Sequence, residues 1–303
     1  MTSSRKSGSV YQPPWLKGQG LGPKVSWSVG TDGALTASAL ARETGELIIA
    51  DESTTISRID RDGQIQAMTR IGAPVRVLVW SDDGSAGAVI TGDDTVMRLN
   101  RDLQPEWSFN TPDTCLTLAI APFGNHLVVC LANGVNLIYN ERKRRLAQFQ
   151  TMRPLAFARF CATEPLLFAS AEHGLLCCHD LQGGEVWQER LWSNVGELEI
   201  TGDADLLYLA GFAHGIQAFD GDGGPVGSYV VEGTVNRLSV SFEPNRLLAG
   251  TIERSLYWLD SDGEMLWATS LPDDLLNVHC GPLGEWAIAA LRNEGVYRLD
   301  WAG

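Results

Sequence analysis

The chain has 303 residues, 44% hydrophobic and 20% charged, which excludes disordered, collagen-like and helical membrane-spanning classes and allows a sizeable core without disulfides. Its formal charge of −14 is uneven, because the first 31 residues hold four basic side chains and no acid, leaving −18 on the rest. A body that acidic repels phosphate backbones over the Debye length, so nucleic acid is excluded as the main ligand.

Taken in chain order, residues 1–23 read as a flexible, basic N-terminal tail. No apolar stretch follows Arg5 and Lys6, so no secretory signal is expected and the expected location is cytoplasmic. Within the tail an isolated apolar cluster, Tyr11, Pro13, Pro14, Trp15 and Leu16, lacks a period that would fold it locally. The proline pair favours an extended helix of the polyproline type, and the cluster is a candidate linear motif that orders on a partner protein. A disordered leader, or a segment lying back across the acidic body, is the plainer reading.

From residue 24 onward the chain repeats with a period of 40. Ile59-Asp60, Leu99-Asn100, Tyr139-Asn140, His179-Asp180, Phe219-Asp220, Leu259-Asp260 and Leu299-Asp300 recur without drift. Two short apolar runs accompany each dipeptide, bounded by turn pairs such as Asp62-Gly63, Asp222-Gly223 and Asp262-Gly263. Short β-rich runs between turn signals predict strands. The first unit should hold strands near 35–41, 46–51, 56–60 and 64–70, here lettered a to d, and the others follow by adding 40. Such a unit cannot bury both faces alone, and radial stacking of seven gives an all-β, single seven-bladed β-propeller over 24–303.

The last unit supplies three strands and stops. The N-terminal KVSWSV carries Trp27 in the phase of Trp107, Trp187 and Trp267, so it is expected to close the ring as the fourth strand of the C-terminal blade. At the same phase Ala67, Ala147 and Gly227 stand in other blades, which predicts large residues alternating with small ones as a packing solution.

VRVLVWSDDG (75–84) and GDDTVMRLN (92–100) resemble segments of WD-repeat propellers, and LYWLDSDGEMLWATS (256–270) resembles the repeat of quinoprotein-type propellers. The resemblance concerns the fold. No Gly-His precedes strand a, and other apolar residues replace the Trp of Trp-Asp, so the family's hydrogen-bonded tetrad is not expected. Quinoprotein enzymes of that resemblance are usually exported, eight-bladed and calcium-ligating, which does not suit this chain.

No phosphate loop, Gly-x-Ser-x-Gly, His-Glu-x-x-His or EF-hand motif is present. His173 and His214, in turns of neighbouring blades, could share a metal but lack a repeating third ligand. Cys177, Cys178 and His179 could form a nucleophile, yet neighbouring strand residues face opposite ways, so a core role is the simpler reading. The six cysteines lack paired spacing and read as reduced core residues. Arg58, Arg98 and Arg298 share one phase and are expected in inter-blade ion pairs. Neither a catalytic residue nor a cofactor or metal ligand is therefore expected.

Two surface features remain. Arg142, Lys143, Arg144 and Arg145 fill one c–d turn, and Lys143 is the only lysine beyond residue 24. They read as a solvated turn or as a docking patch for an acidic partner or an anionic membrane surface. Arg190 and Trp192 lie in a d–a loop and have the composition of an interface hot spot, or of a Trp capping the blade below. The functional expectation is a non-catalytic scaffold or accessory subunit that binds other protein subunits through a propeller face and the tail. The alternative is an enzyme or small-ligand sensor using the central channel.

Overall fold

The first repeat forms strands Leu35–Ala41, Glu46–Asp51, Thr55–Ile59 and Ile65–Arg70, paired antiparallel in that order. Repetition gives blades 1 (35–70), 2 (75–110), 3 (115–150), 4 (157–189), 5 (195–229) and 6 (235–270), with blade 7 built from 275–300 and Lys24–Val29. The inner strand of blade 7 lies against that of blade 1, completing a seven-bladed ring. This computed structural model describes residues 11–301 except Pro244. Among the described residues the helical structure is one 3-10 turn, Pro14–Leu16, and no helix is long and apolar enough to cross a membrane.

The 40-residue dipeptide has a local cause. The Asp or Asn ending strand c accepts two backbone N–H bonds from the following turn: Asp60 Oδ1 takes Asp62 N at 2.9 Å and Gln64 N at 2.8 Å. Asn100, Asn140, Asp180, Asp220 and Asp260 repeat the pattern. A short polar side chain that bonds its own backbone two residues on is what a tight turn needs. Each of these turns then has one left-handed residue, Gly63 at φ 81°, with Leu103 and Lys143 accepting the same region at φ 60° and 62°.

The outer-strand tryptophans bind one blade to the next. Trp27 Nε1 donates to Arg61 O, Trp107 Nε1 to Glu141 O and Trp187 Nε1 to Gly221 O, each at 2.9 Å and each reaching the c–d turn of the following blade. The ring lies so close over the turn that a β-carbon on Gly63 would stand 2.6 Å from Trp27 Cγ. Where the Trp phase is small, another residue fills the space: Phe149 covers Gly183, Tyr229 covers Gly263, and beside Ala67 the turn residue Leu103 buries itself. The expected alternation is thus a set of alternative covers. Burial is uneven, with Trp27 and Trp267 buried and Trp107 and Trp187 half-buried.

At blade 7 an N-terminal strand joins the last repeat. Lys24–Val29 pairs with Gly295–Asp300, Trp27 standing opposite Arg298. Because strand d of blade 7 is Lys24–Val29, no c–d turn of the described residues lies over Trp267; Trp301 sets its ring edge-on at 5.8 Å and stacks on Trp258 at 4.2 Å. The segment just before Lys24 fills the remaining gap. Gln12 bonds both N and O of Val25 at 2.9 Å, Pro13 and Leu16 are buried, and Trp15 packs edge-to-face on Tyr297. Gln19–Gly20 then adds a fifth strand to blade 6, and a β-carbon on Gly18 would collide with the Ala268 carbonyl.

This differs from the flexible tail expected over 1–23. From Tyr11 onward the segment is packed, because an unfinished seam leaves apolar surface on blades 6 and 7 that Pro13, Trp15 and Leu16 cover. Residues 1–10 of the expected tail lie outside the described residues.

Candidate functional site

Side chains of the inner strands alternate between two environments. One set, including Leu78, Leu118, Leu198 and Leu238, is buried between blades. The other set, at positions 37 and 39 of the first repeat and their counterparts, lines a central cavity of about 370 Å³. In blades 1–3 that wall is Ala37, Ala39, Val77, Val79, Thr117 and Ala119. From blade 4 onward it carries Arg159, Glu197, Glu199, Arg237, Asn277 and His279.

The charged wall is tightly organised. Arg159 Nη2 lies 3.0 Å from Glu197 Oε1 and 2.7 Å from Glu199 Oε1, and its Nη1 donates to Ala158 O at 2.9 Å. One guanidinium therefore serves two carboxylates that share a face of one strand. Burial, with the like charge of Glu199, raises the Glu197 pKa although Arg159 and Arg237 oppose the shift. Burial also works against the Arg159 charge, but Glu199 and Glu197 more than offset it and hold the guanidinium protonated. One blade on, Arg237 is anchored only on backbone, donating to Leu276 O at 2.6 Å and Asn236 O at 2.7 Å. Among the described residues no carboxylate pairs with it.

Next around the ring, His279 Nε2 and Ser38 Oγ are 2.9 Å apart, and Asn277 Nδ2 donates to Ser38 O at 3.2 Å. Burial, then the positive charges of Arg159 and Arg42, depress the His279 pKa to about 3, so the imidazole is neutral at pH 7. The lower face, where inner strands end, holds the Arg42–Asp82 pair at 2.8 Å, with the Arg42 guanidinium over the Phe242 ring. The cavity thus has one plain wall and one that offers both signs of charge.

The upper face, where inner strands begin, carries an arc of exposed apolar side chains. Trp192 is 82% exposed with Arg190 stacked 5.0 Å over its ring, so it does not cap the blade below. Met152 and Val230 are each 89% exposed in d–a loops, and Phe212 and Ile252 are exposed in the b–c turns of blades 5 and 6. The corresponding loops of blades 1, 2 and 7 are Gly-, Pro- and Asp-rich.

The other sequence candidates scatter. On the lower face Arg142 is 86% exposed in its side chain, whereas Lys143 donates to Ser108 O at 2.7 Å and lies over Phe109, leaving Arg142, Arg144 and Arg145 as the outward charges. Of the apolar tail cluster, Tyr11 is exposed while Pro13 and Leu16 are buried within the chain's own fold. His173 Nδ1 meets Asn194 Oδ1 at 2.5 Å. Cys177 and Cys178 fall in separate core clusters, burial pushes each thiol up to about 12, and His179 is buried against Phe149 at 4.3 Å. The expected inter-blade ion pairs are corrected in part: Arg58–Glu46, Arg98–Glu106 and Arg298–Asp300 all close within one blade, because the partner carboxylates lie on the same sheet. Of these three arginines, Arg58 alone also reaches an acid of the next blade, through the weaker Asp102 contact; the closer pairs that cross a seam are Arg101–Glu46 at 2.8 Å, Arg42–Asp82 and Arg159 with Glu197 and Glu199.

The polar wall of the channel was missed in the sequence. It was available there, since position 37 read down the repeat gives Ala, Val, Thr, Phe, Glu, Arg and Asn, and position 39 gives Ala, Val, Ala, Arg, Glu, Ser and His.

No protein-family model matches the chain, and no curated protein matches it. The likeness to WD-repeat and quinoprotein-type propellers therefore stays at the level of a seven-bladed ring of four-stranded antiparallel blades.

Proposed function

We propose that the protein is a non-catalytic platform that binds a partner protein through the upper face of blades 4–6. The observation that carries this reading is the exposed arc of Met152, Trp192, Phe212, Val230 and Ile252 on one side of one face. Exposed large apolar side chains gathered on one side of one face mark interaction sites, and a Trp beside an Arg has the makeup of a binding hot spot. Rigid blades hold the arc in place, so little ordering entropy opposes association. Exposed Arg142, Arg144 and Arg145 on the lower face supply a second, electrostatic contact for an acidic partner or anionic surface.

The test is site-specific photocrosslinking in the cell of origin. A photoreactive phenylalanine analogue at position 192 should trap one stoichiometric partner, and the same group at Phe123, exposed on the lower face, should not. Equal trapping from both positions, or none from 192, would remove the upper face from the reading. A second reading, a channel that binds a small ligand, is favoured by the charged wall of blades 4–7.

A further inference from the structure

We infer that the charged wall of the channel is a binding site for a small zwitterion, an amine and a carboxylate carried on one short aliphatic frame. The inference is independent of the platform reading, because it concerns the channel and not the face.

Charge bookkeeping around the wall carries it. Arg159 engages Oε1 of both Glu197 and Glu199, so one positive charge meets two negative ones and blade 5 keeps an excess of one negative charge. On blade 6 Arg237 donates Nε and Nη1 to backbone carbonyls, and among the described residues no carboxylate lies within ion-pair distance of it. The two excesses are opposite in sign, stand at the same height on neighbouring strands and face one cavity. Charges held out of bulk water without a partner are costly, and a ligand that brings the missing counter-charges removes that cost.

A pure cation would answer Glu197 and Glu199 and leave Arg237 alone. A pure anion would do the reverse. A molecule with both groups answers both; Arg237 already acts on Glu197 through space, but from beyond ion-pair distance. The facing wall, Ala37, Ala39, Val77, Val79 and Ala119, suits an aliphatic body, and about 370 Å³ lies in the range of small-molecule sites.

The test uses the full chain and ligand-observed NMR with each of the protein amino acids, followed by the decarboxylated and deaminated analogues of the best binder. At least one amino acid should bind saturably at millimolar concentration or below, and both analogues should bind roughly tenfold or more weakly. Arg237→Gln should bring the amino acid down to the level of its amine analogue, and Glu197→Gln, which leaves Glu199 to pair with Arg159, to the level of its acid analogue. Arg237→Lys should recover part of the loss, and melting curves check that each variant is folded. Binding of the amine as tightly as the amino acid would overturn the inference in favour of a cation site. Binding by none of the amino acids, or binding abolished by Trp192→Ser, would overturn it outright, while the crosslinking from position 192 would still stand or fall by itself.

Discussion

Blades 1–3 and blades 4–7 have the same backbone and nearly opposite channels. Inner strands Val75–Trp80 and Val195–Ile200 pair in the same register with the same bulge, yet one presents Val77 and Val79 to the cavity and the other Glu197 and Glu199. The same half that carries charge inside carries Trp192, Phe212 and Val230 on its upper face. Positions that make the blade repeat faithfully, and positions that merely face open space are free to diverge. In a repeat protein the departures from periodicity are therefore where function is to be sought.

If the two halves share one framework, matched framework changes must act alike on both. Trp267→Ala, at the closing seam where the ring is fully buried, should have the largest effect, about 3–5 kcal/mol by chemical or thermal unfolding. Trp107→Ala in the plain half and Trp187→Ala in the charged half, each half-buried with one turn hydrogen bond, should each cost about 1–3 kcal/mol and agree with one another. Strongly unequal values would mean that the halves differ in their packing as well as their channel.

Channel substitutions should separate the halves. Arg159→Leu leaves Glu197 and Glu199 facing each other with only Arg237, beyond ion-pair distance, as a counter-charge and should cost about 1–3 kcal/mol at pH 8, after allowance for their partial exposure. Folded-state carboxyl pKa values then lie above the unfolded ones, so the loss should shrink as pH falls through the carboxylate range. Val79→Thr on the opposite wall should stay within about 1 kcal/mol at every pH.

His279 gives a pH signature of the charged side. Its folded pKa of about 3 lies below the ordinary imidazole value of 6.5, so the unfolded chain binds the extra proton and stability falls as pH drops from 6.5 towards 3. His279→Asn should flatten that part of the stability curve, by at most about 1.4 kcal/mol per pH unit. An unchanged acid limb would show that the imidazole is solvated.

The smallest effect on stability is expected outside the channel. Changing Arg142, Arg144 and Arg145 together to Glu should move the unfolding free energy by no more than about 0.5 kcal/mol, because all three are exposed. If this turn docks on anionic surface, the same variant should lose binding to phosphatidylserine vesicles at low ionic strength, where screening is weakest. Equal vesicle binding by the variant would leave the turn a solvated one.

Much of the fold is legible in the sequence. The Asp or Asn closing each third strand is a local device, set by a side chain and the two amides that follow it, so it repeats in sequence as faithfully as in space. The Trp phase was legible too, although its partner, a carbonyl 34 residues on in the next blade, was not. Less could be read of the site. Arg190 and Trp192 stood out because they interrupt a loop, whereas Arg159, Glu197 and Arg237 sit inside apolar strands and look like ordinary strand polarity until seven strands are set around one axis.

By itself the sequence determined the repeat, the strand boundaries and the turn chemistry, because each of these depends on residues a few positions apart. Tertiary structure alone decided three things that depend on residues far apart in the chain. It brought residues 11–23 onto the seam between blades 6 and 7, where no c–d turn of the described residues follows Trp267. It gathered charges from three blades, with the polar groups of a fourth, around one cavity. It divided the tryptophans into buried and half-buried by what the neighbouring blade offered. Burial and charge compensation are sums over spatial neighbours, and a ring makes neighbours of residues that are forty, or nearly three hundred, positions apart.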